Sequence, residues 1–106
     1  MSTRASIRFK DRYDTFYVYR HSDGYPDGDI LPDLRNAVEK ASGRWSGSEL
    51  GTMVAFFLGT VFDPHKRLPS YALTSSIHGD ESYHYVVNWD EAKREYVIGY
   101  DEENDD

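Results

Sequence analysis

Apolar and polar residues alternate without a break over residues 3–10, with Ala5, Ile7 and Phe9 on one side and Arg4, Ser6, Arg8 and Lys10 on the other. A period of two predicts a half-buried strand. The polar stretch Asp11-Arg12-Tyr13-Asp14 is a hairpin connection into a second strand over 15–21, whose Phe16 and Val18 face the core while Tyr17 and Tyr19 point away. Residues 22–29 are dense in glycine, proline and aspartate and predict a loop. Helical spacing then places Leu31, Leu34, Val38 and Ala41 on one stripe of a first helix over 31–42, with Asp29 near its N-cap, Pro32 in its first turn and Gly43 ending it. Ser46-Gly47-Ser48-Glu49 has the form of a capping box, and Leu50, Met53, Val54, Phe57, Leu58 and Val61 recur at the spacing of a second, more deeply buried helix. After an irregular connector over 59–69, three strands are predicted at 71–78, 83–89 and 95–100, joined by connections short enough for hairpins. The order β-β-α-α-β-β-β predicts an α+β single domain: a mainly antiparallel five-stranded sheet with two helices on one face.

The chain has 106 residues, 39% hydrophobic and 29% charged, which is enough for one core without staples. No cysteine is present, so disulfides, thiolate metal sites and a cysteine nucleophile are excluded together. The net charge of −7 is concentrated at the C-terminus: residues 101–106 hold five of the nineteen acids, leaving fourteen acids against twelve bases in residues 1–100. The expected organisation is therefore a nearly balanced folded body over 1–100 and an acidic, solvated, disordered tail over 101–106. The N-terminal residues carry no apolar signal region, and the longest apolar stretch is far shorter than the ~20 residues of a membrane span. A cytoplasmic protein without a membrane partner is the resulting expectation.

The densest polar cluster is Arg20-His21-Ser22-Asp23-Gly24-Tyr25-Pro26, where a strand delivers a cation and an imidazole into a rigid turn. Strand ends feeding loops commonly display binding groups on a fixed scaffold. With Tyr19 and the strand before it, this segment resembles small bacterial and phage-encoded proteins that carry Tyr-Arg-His-x-Asp-Gly-Tyr-Pro after an N-terminal strand. The resemblance covers the first third of the chain. It implies a bacterial or prophage context and no activity.

A second cluster, His78-Gly79-Asp80-Glu81 followed by His84, offers imidazoles and carboxylates that could hold a metal or move protons. No metal-ligand spacing such as His-Glu-x-x-His occurs, and neither a nucleophile elbow nor a phosphate loop is present, so no metal or cofactor is expected. In an antiparallel sheet the bend at His78 falls at the end opposite His21, roughly 20 Å away at ~3.3 Å per residue, unless the 59–69 connector crosses the molecule and reverses the strand at 71–78.

Aromatic residues make up 15% of the chain, more than one small core hides. With helices on a single face, the other face of the sheet is expected to show Tyr17 and Tyr19 with Arg8 and Arg20. Tyrosine and arginine anchor protein interfaces. The resulting expectation is a non-enzymatic protein-interaction module, or self-association, through Tyr17, Tyr19, Arg20, His21, Asp23 and Tyr25. One alternative is a small metal-assisted hydrolase using His21, Asp23, His78 and Asp80. The other is a single-stranded nucleic-acid binder with a stripe of Arg4, Arg8, Lys10, Arg12 and Arg20, against which the overall acidity argues.

Overall fold

The computed structural model describes residues 3–42, 44, 49–62 and 71–102. The predicted elements become β1 (Ala5–Lys10), β2 (Thr15–Arg20), α1 (Ile30–Ala41), α2 (Leu50–Val61), β3 (Tyr71–Thr74), β4 (Tyr83–Asp90) and β5 (Glu95–Glu102). All five strands form one sheet in the order β3-β2-β1-β4-β5, with both helices against one face. That face carries Ala5, Ile7 and Phe9 of β1, Val18 of β2, Tyr71 of β3 and Tyr85 and Val87 of β4. They meet Ile30, Leu34 and Ala37 of α1 and Met53, Val54 and Phe57 of α2 in one apolar core. The Phe57 ring lies 5.4 Å from that of Phe9 and 5.1 Å from that of Tyr71, tying α2 across β1 and β3.

The helix boundaries follow from the chemistry at their ends. Asp29 occupies the N-cap of α1 without a side-chain cap; its carbonyl accepts the Asp33 amide at 2.9 Å, while Asp33 in the first turn and Lys40 in the last suit the helix dipole. Gly43, expected to end this helix, lies outside the described residues, and the Ser42 amide returns to the Val38 carbonyl at 3.1 Å. The capping box is not formed as its spacing predicts: α2 begins at Leu50, and Glu49 sits at the N-cap with φ +34° instead of three residues inside the helix. Ser46 lies outside the described residues.

The sheet is mixed, because β4 pairs parallel to β1. The expected hairpin between the third and fourth strands therefore does not exist. Since β2 pairs antiparallel with both β1 and β3, the strands β3, β1 and β4 all run the same way. Such strands must be joined by a crossover. The helices occupy one face, so residues 75–82 cross the other, passing over β2 and β1. Eight residues reach roughly 26 Å when extended. The diagonal across three strand spacings and back along a four-residue β3 is roughly 19 Å. The shortness of β3, which stops at Thr74 instead of His78, is what lets so brief a crossover close. At the other edge β5 continues to Glu102, so Asp101 and Glu102 belong to the sheet and not to a solvated tail. Residues 103–106 lie outside the described residues.

Candidate functional site

The crossover brings the two histidine clusters together. His78 stacks on Tyr19 with ring centroids 3.8 Å apart, and His21 meets the same ring edge-on at 5.1 Å. The 20 Å separation expected for a hairpin is thus overturned by the return of the chain over the open face. The Tyr19 hydroxyl donates to Asp80, with both carboxylate oxygens at 3.0 Å, and Arg4 lies 3.3 Å from the same carboxylate. Burial, then the hydrogen bond and charge of Asp80, raise the Tyr19 pKa above the usual phenol value. Glu81 turns inward and accepts the amides of His78 and Gly79 at 2.8 and 2.6 Å, fixing the turn that Gly79 completes at φ +101°. The carboxylates of this cluster are thus engaged in holding the crossover. Among the described residues, no group of three His, Asp or Glu side chains is placed to hold a metal ion.

The expected display of Tyr19 and Arg20 on a bare sheet face does not occur. Tyr19 points to the anticipated face, but His78 covers it and leaves it 3% exposed. Arg20 pairs across β1 with Ala5, so it lies on the helix side, where it is buried. Its guanidinium sits 4.7 Å above the Tyr71 ring, its Nε donates to the Ser22 carbonyl at 2.7 Å, and Asp33 lies 3.6 Å away. The Tyr71 hydroxyl donates to the same Asp33 at 2.7 Å. Because Arg20 is interior and Arg4 is paired with Asp80, the five bases of the N-terminal strands do not form one exposed stripe.

The loop that follows uses its polar groups internally. Asp23 adopts φ +55° and accepts the Tyr25 hydroxyl at 3.2 Å, a bond that raises the Tyr25 pKa. The Gly24 amide donates to the Thr3 carbonyl at 2.9 Å, and the Gly24 carbonyl accepts the buried Tyr85 hydroxyl at 2.6 Å. His21, Asp23 and Tyr25 remain exposed at the rim; Tyr17 is half-buried on the open face.

Burial is the first cause that raises the pKa of both Tyr71 and Tyr85 above the ordinary value of 10.0. The pH effect on stability follows in sign. Below that value both phenols are neutral in the folded and the unfolded chain, and their contribution is fully present. Above it the unfolded chain releases protons that the folded chain retains, so stability falls as pH rises. The urea midpoint is expected to drop between about pH 9 and about pH 11. Equal midpoints at the two values would contradict the buried-phenol account.

Below the Tyr19 stack the open face forms a trough of about 380 Å³, within the range of ligand sites. Ser6, Arg8, Tyr17, His84 and Val86 line its floor, Ile77 of the crossover is one wall, and Asp101 of β5 the other. Ser6 Oγ is 2.9 Å from His84 Nδ1, which orients the imidazole. His84 also lies opposite Asp101 in the sheet register, so a serine, an imidazole and a carboxylate share one site. The setting is poor for a nucleophile. Ser6 is 4% exposed, and the two central strands that carry Ser6 and His84 spend their amides on neighbouring strands instead of presenting a pair to an oxyanion. Arg8, by contrast, is exposed and makes no ion pair with another described side chain.

Of the six residues expected to anchor a protein partner, Tyr17 alone lines this trough, beside Arg8, which was expected on the same open face. Ser6, Ile77, His84, Val86 and Asp101 were not among them, although the alternation of His84 and Val86 with the core residues Tyr85 and Val87 was a readable signal for the open face. Comparison of the chain with protein-family models, curated proteins and solved structures finds no significant match. Among the described residues, no helix is long and apolar enough to cross a membrane.

Proposed function

We propose that the protein is a non-enzymatic interaction module whose open-face trough receives an extended segment of a partner protein bearing a carboxylate side chain. The observation that carries this reading is Arg8, an exposed guanidinium without an ion-pair partner among the described residues, set in the floor of the trough between Tyr17 and Val86, with Ile77 as the nearer apolar wall and Asp101 at the far side. A guanidinium beside a low-dielectric wall favours a planar anion, which it holds through paired hydrogen bonds. Tyr17, Ile77 and Val86 supply apolar contact on either side, and exposed Val97 on the same sheet face extends it. Arginine and tyrosine with a partly desolvated surround are the residue types that dominate interface energetics.

The test uses capped pentapeptides with glutamate, glutamine or lysine at the centre of an otherwise identical valine-tyrosine sequence. The glutamate peptide is expected to shift the amides of Ser6, Arg8, Tyr17 and Val86 and to lose about tenfold in affinity against Arg8→Ala, the loss of one charge-assisted contact. Equal binding of the glutamine peptide, or shifts confined to other regions, would overturn the reading. Hydrolysis of p-nitrophenyl acetate that disappears in Ser6→Ala would overturn its non-enzymatic part.

A further inference from the structure

The trough that holds Arg8 also holds a carboxylate. Asp101 on its far side is exposed and makes no ion pair with another described side chain. His84 lies opposite Asp101 in the sheet register, but that imidazole directs Nδ1 to Ser6 Oγ on β1, at 2.9 Å. The site is therefore dipolar, with a guanidinium in its floor and a carboxylate on its far wall. A ligand with acids alone gains at Arg8 and is repelled at Asp101, whereas one that carries both signs is attracted at both.

The register fixes how far apart the two charges stand. Arg8 pairs with Val86 of β4 and Val86 with Gly99 of β5, so Asp101 lies two strand spacings across and two residues along from Arg8. At ~4.8 Å per strand and ~3.3 Å per residue, the two α-carbons are roughly 12 Å apart. In an extended segment, side chains on one face recur at every second residue, about 6.6 Å, and at every fourth, about 13 Å. The fourth-residue spacing is the match. Gly99, the neighbour of Asp101 on the same face of β5, has no side chain, and a β-carbon there would meet nothing within 4 Å, so the approach over β5 is open. We infer, resting on the trough reading above, that the partner segment is amphoteric: its carboxylate pairs with Arg8, and a basic side chain four residues away on the same face pairs with Asp101. The two opposite charges orient the segment in the trough, and a segment with acids at both positions is rejected.

Capped valine-tyrosine peptides of a single composition test the inference by fluorescence anisotropy. In one isomer a lysine stands four residues from the glutamate; in the other it is adjacent and faces the opposite side, so attraction to an acidic protein as a whole is the same for both. Each isomer is made in both chain orders, because the register fixes no chain direction. In one order the four-residue isomer is expected to bind the native chain about three- to fivefold more tightly than the adjacent one at about 50 mM salt, the size of an exposed ion pair. That preference is expected to vanish in Asp101→Asn, and Asp101→Lys is expected to prefer a glutamate at the fourth position instead. Equal affinities of the two isomers for the native chain in both orders, or a preference that survives Asp101→Asn, would overturn the inference. If equal isomers still lose affinity in Arg8→Ala, the amphoteric partner alone is refuted; if no peptide binds, the trough reading is refuted and this inference with it.

Discussion

Replacing Arg20 with methionine is expected to destabilise the fold by about 2–3 kcal/mol, the cost of breaking a buried charged network while keeping the side-chain volume. The side chain is 5% exposed and unites three elements: its Nε bonds the Ser22 carbonyl after β2, its plane covers Tyr71 of β3, and it faces Asp33 of α1. Its contact with Asp29 at 4.0 Å adds little, because Asp29 is largely solvated. Removal leaves the Ser22 carbonyl and the Asp33 carboxylate short of a donor. Arg20→Lys keeps the charge but loses the planar stacking and the Nε bond, so it is expected to recover less than half of the loss. Urea unfolding of Arg20→Met, Tyr71→Phe and the double variant gives the coupling directly. An Arg20→Met midpoint indistinguishable from the native one would show that the network is dispensable.

Gly24→Ala is expected to cost about 2–4 kcal/mol, combining overpacking with the loss of a buried hydrogen bond. A β-carbon at this position would stand 2.7 Å from Cβ of Ala5 and 3.1 Å from the Ala5 nitrogen, all parts of a central strand that cannot yield locally. Any shift of the loop also pulls the Gly24 carbonyl from the Tyr85 hydroxyl, leaving a donor buried without an acceptor. Ala5→Gly introduced into the Gly24→Ala background removes the clashing methyl and is expected to restore part of the stability, which a simple loss of loop flexibility would not. Guanidinium unfolding of the three variants provides the comparison, and a neutral Gly24→Ala would refute the close approach.

Both effects arise from residues whose sequence context suggested a binding loop. Tyr19, Arg20, His21, Asp23, Gly24 and Tyr25 attract notice because they are polar, aromatic and turn-forming together, but the same properties serve to fasten a strand end. Arg20 follows the alternation of β2 onto the core side, a placement that the period of two already contains. Its counter-ion Asp33 and its aromatic plate Tyr71 lie 13 and 51 positions further on, and nothing local names them.

Strand and helix identity along this chain are set by nearest-neighbour physics: Ala5, Ile7 and Phe9 alternate, Leu50, Met53, Val54 and Phe57 recur at helical spacing, and each run buries its apolar side whatever lies opposite. From that alone follow the seven elements, the single layer of helices and the choice of face for Tyr17 and Tyr19. Whether β4 joins β3 or β1 is a different kind of question, because both neighbours satisfy its hydrogen bonds and its buried alternation equally well locally. It is decided by the whole assembly: helices block one face, β3 is short, and the stretch from Ser75 to Ser82 must cross the other. That crossing covers Tyr19, joins the two histidines around it, and raises the wall at Ile77 that turns a flat sheet face into a trough with Arg8 at its floor.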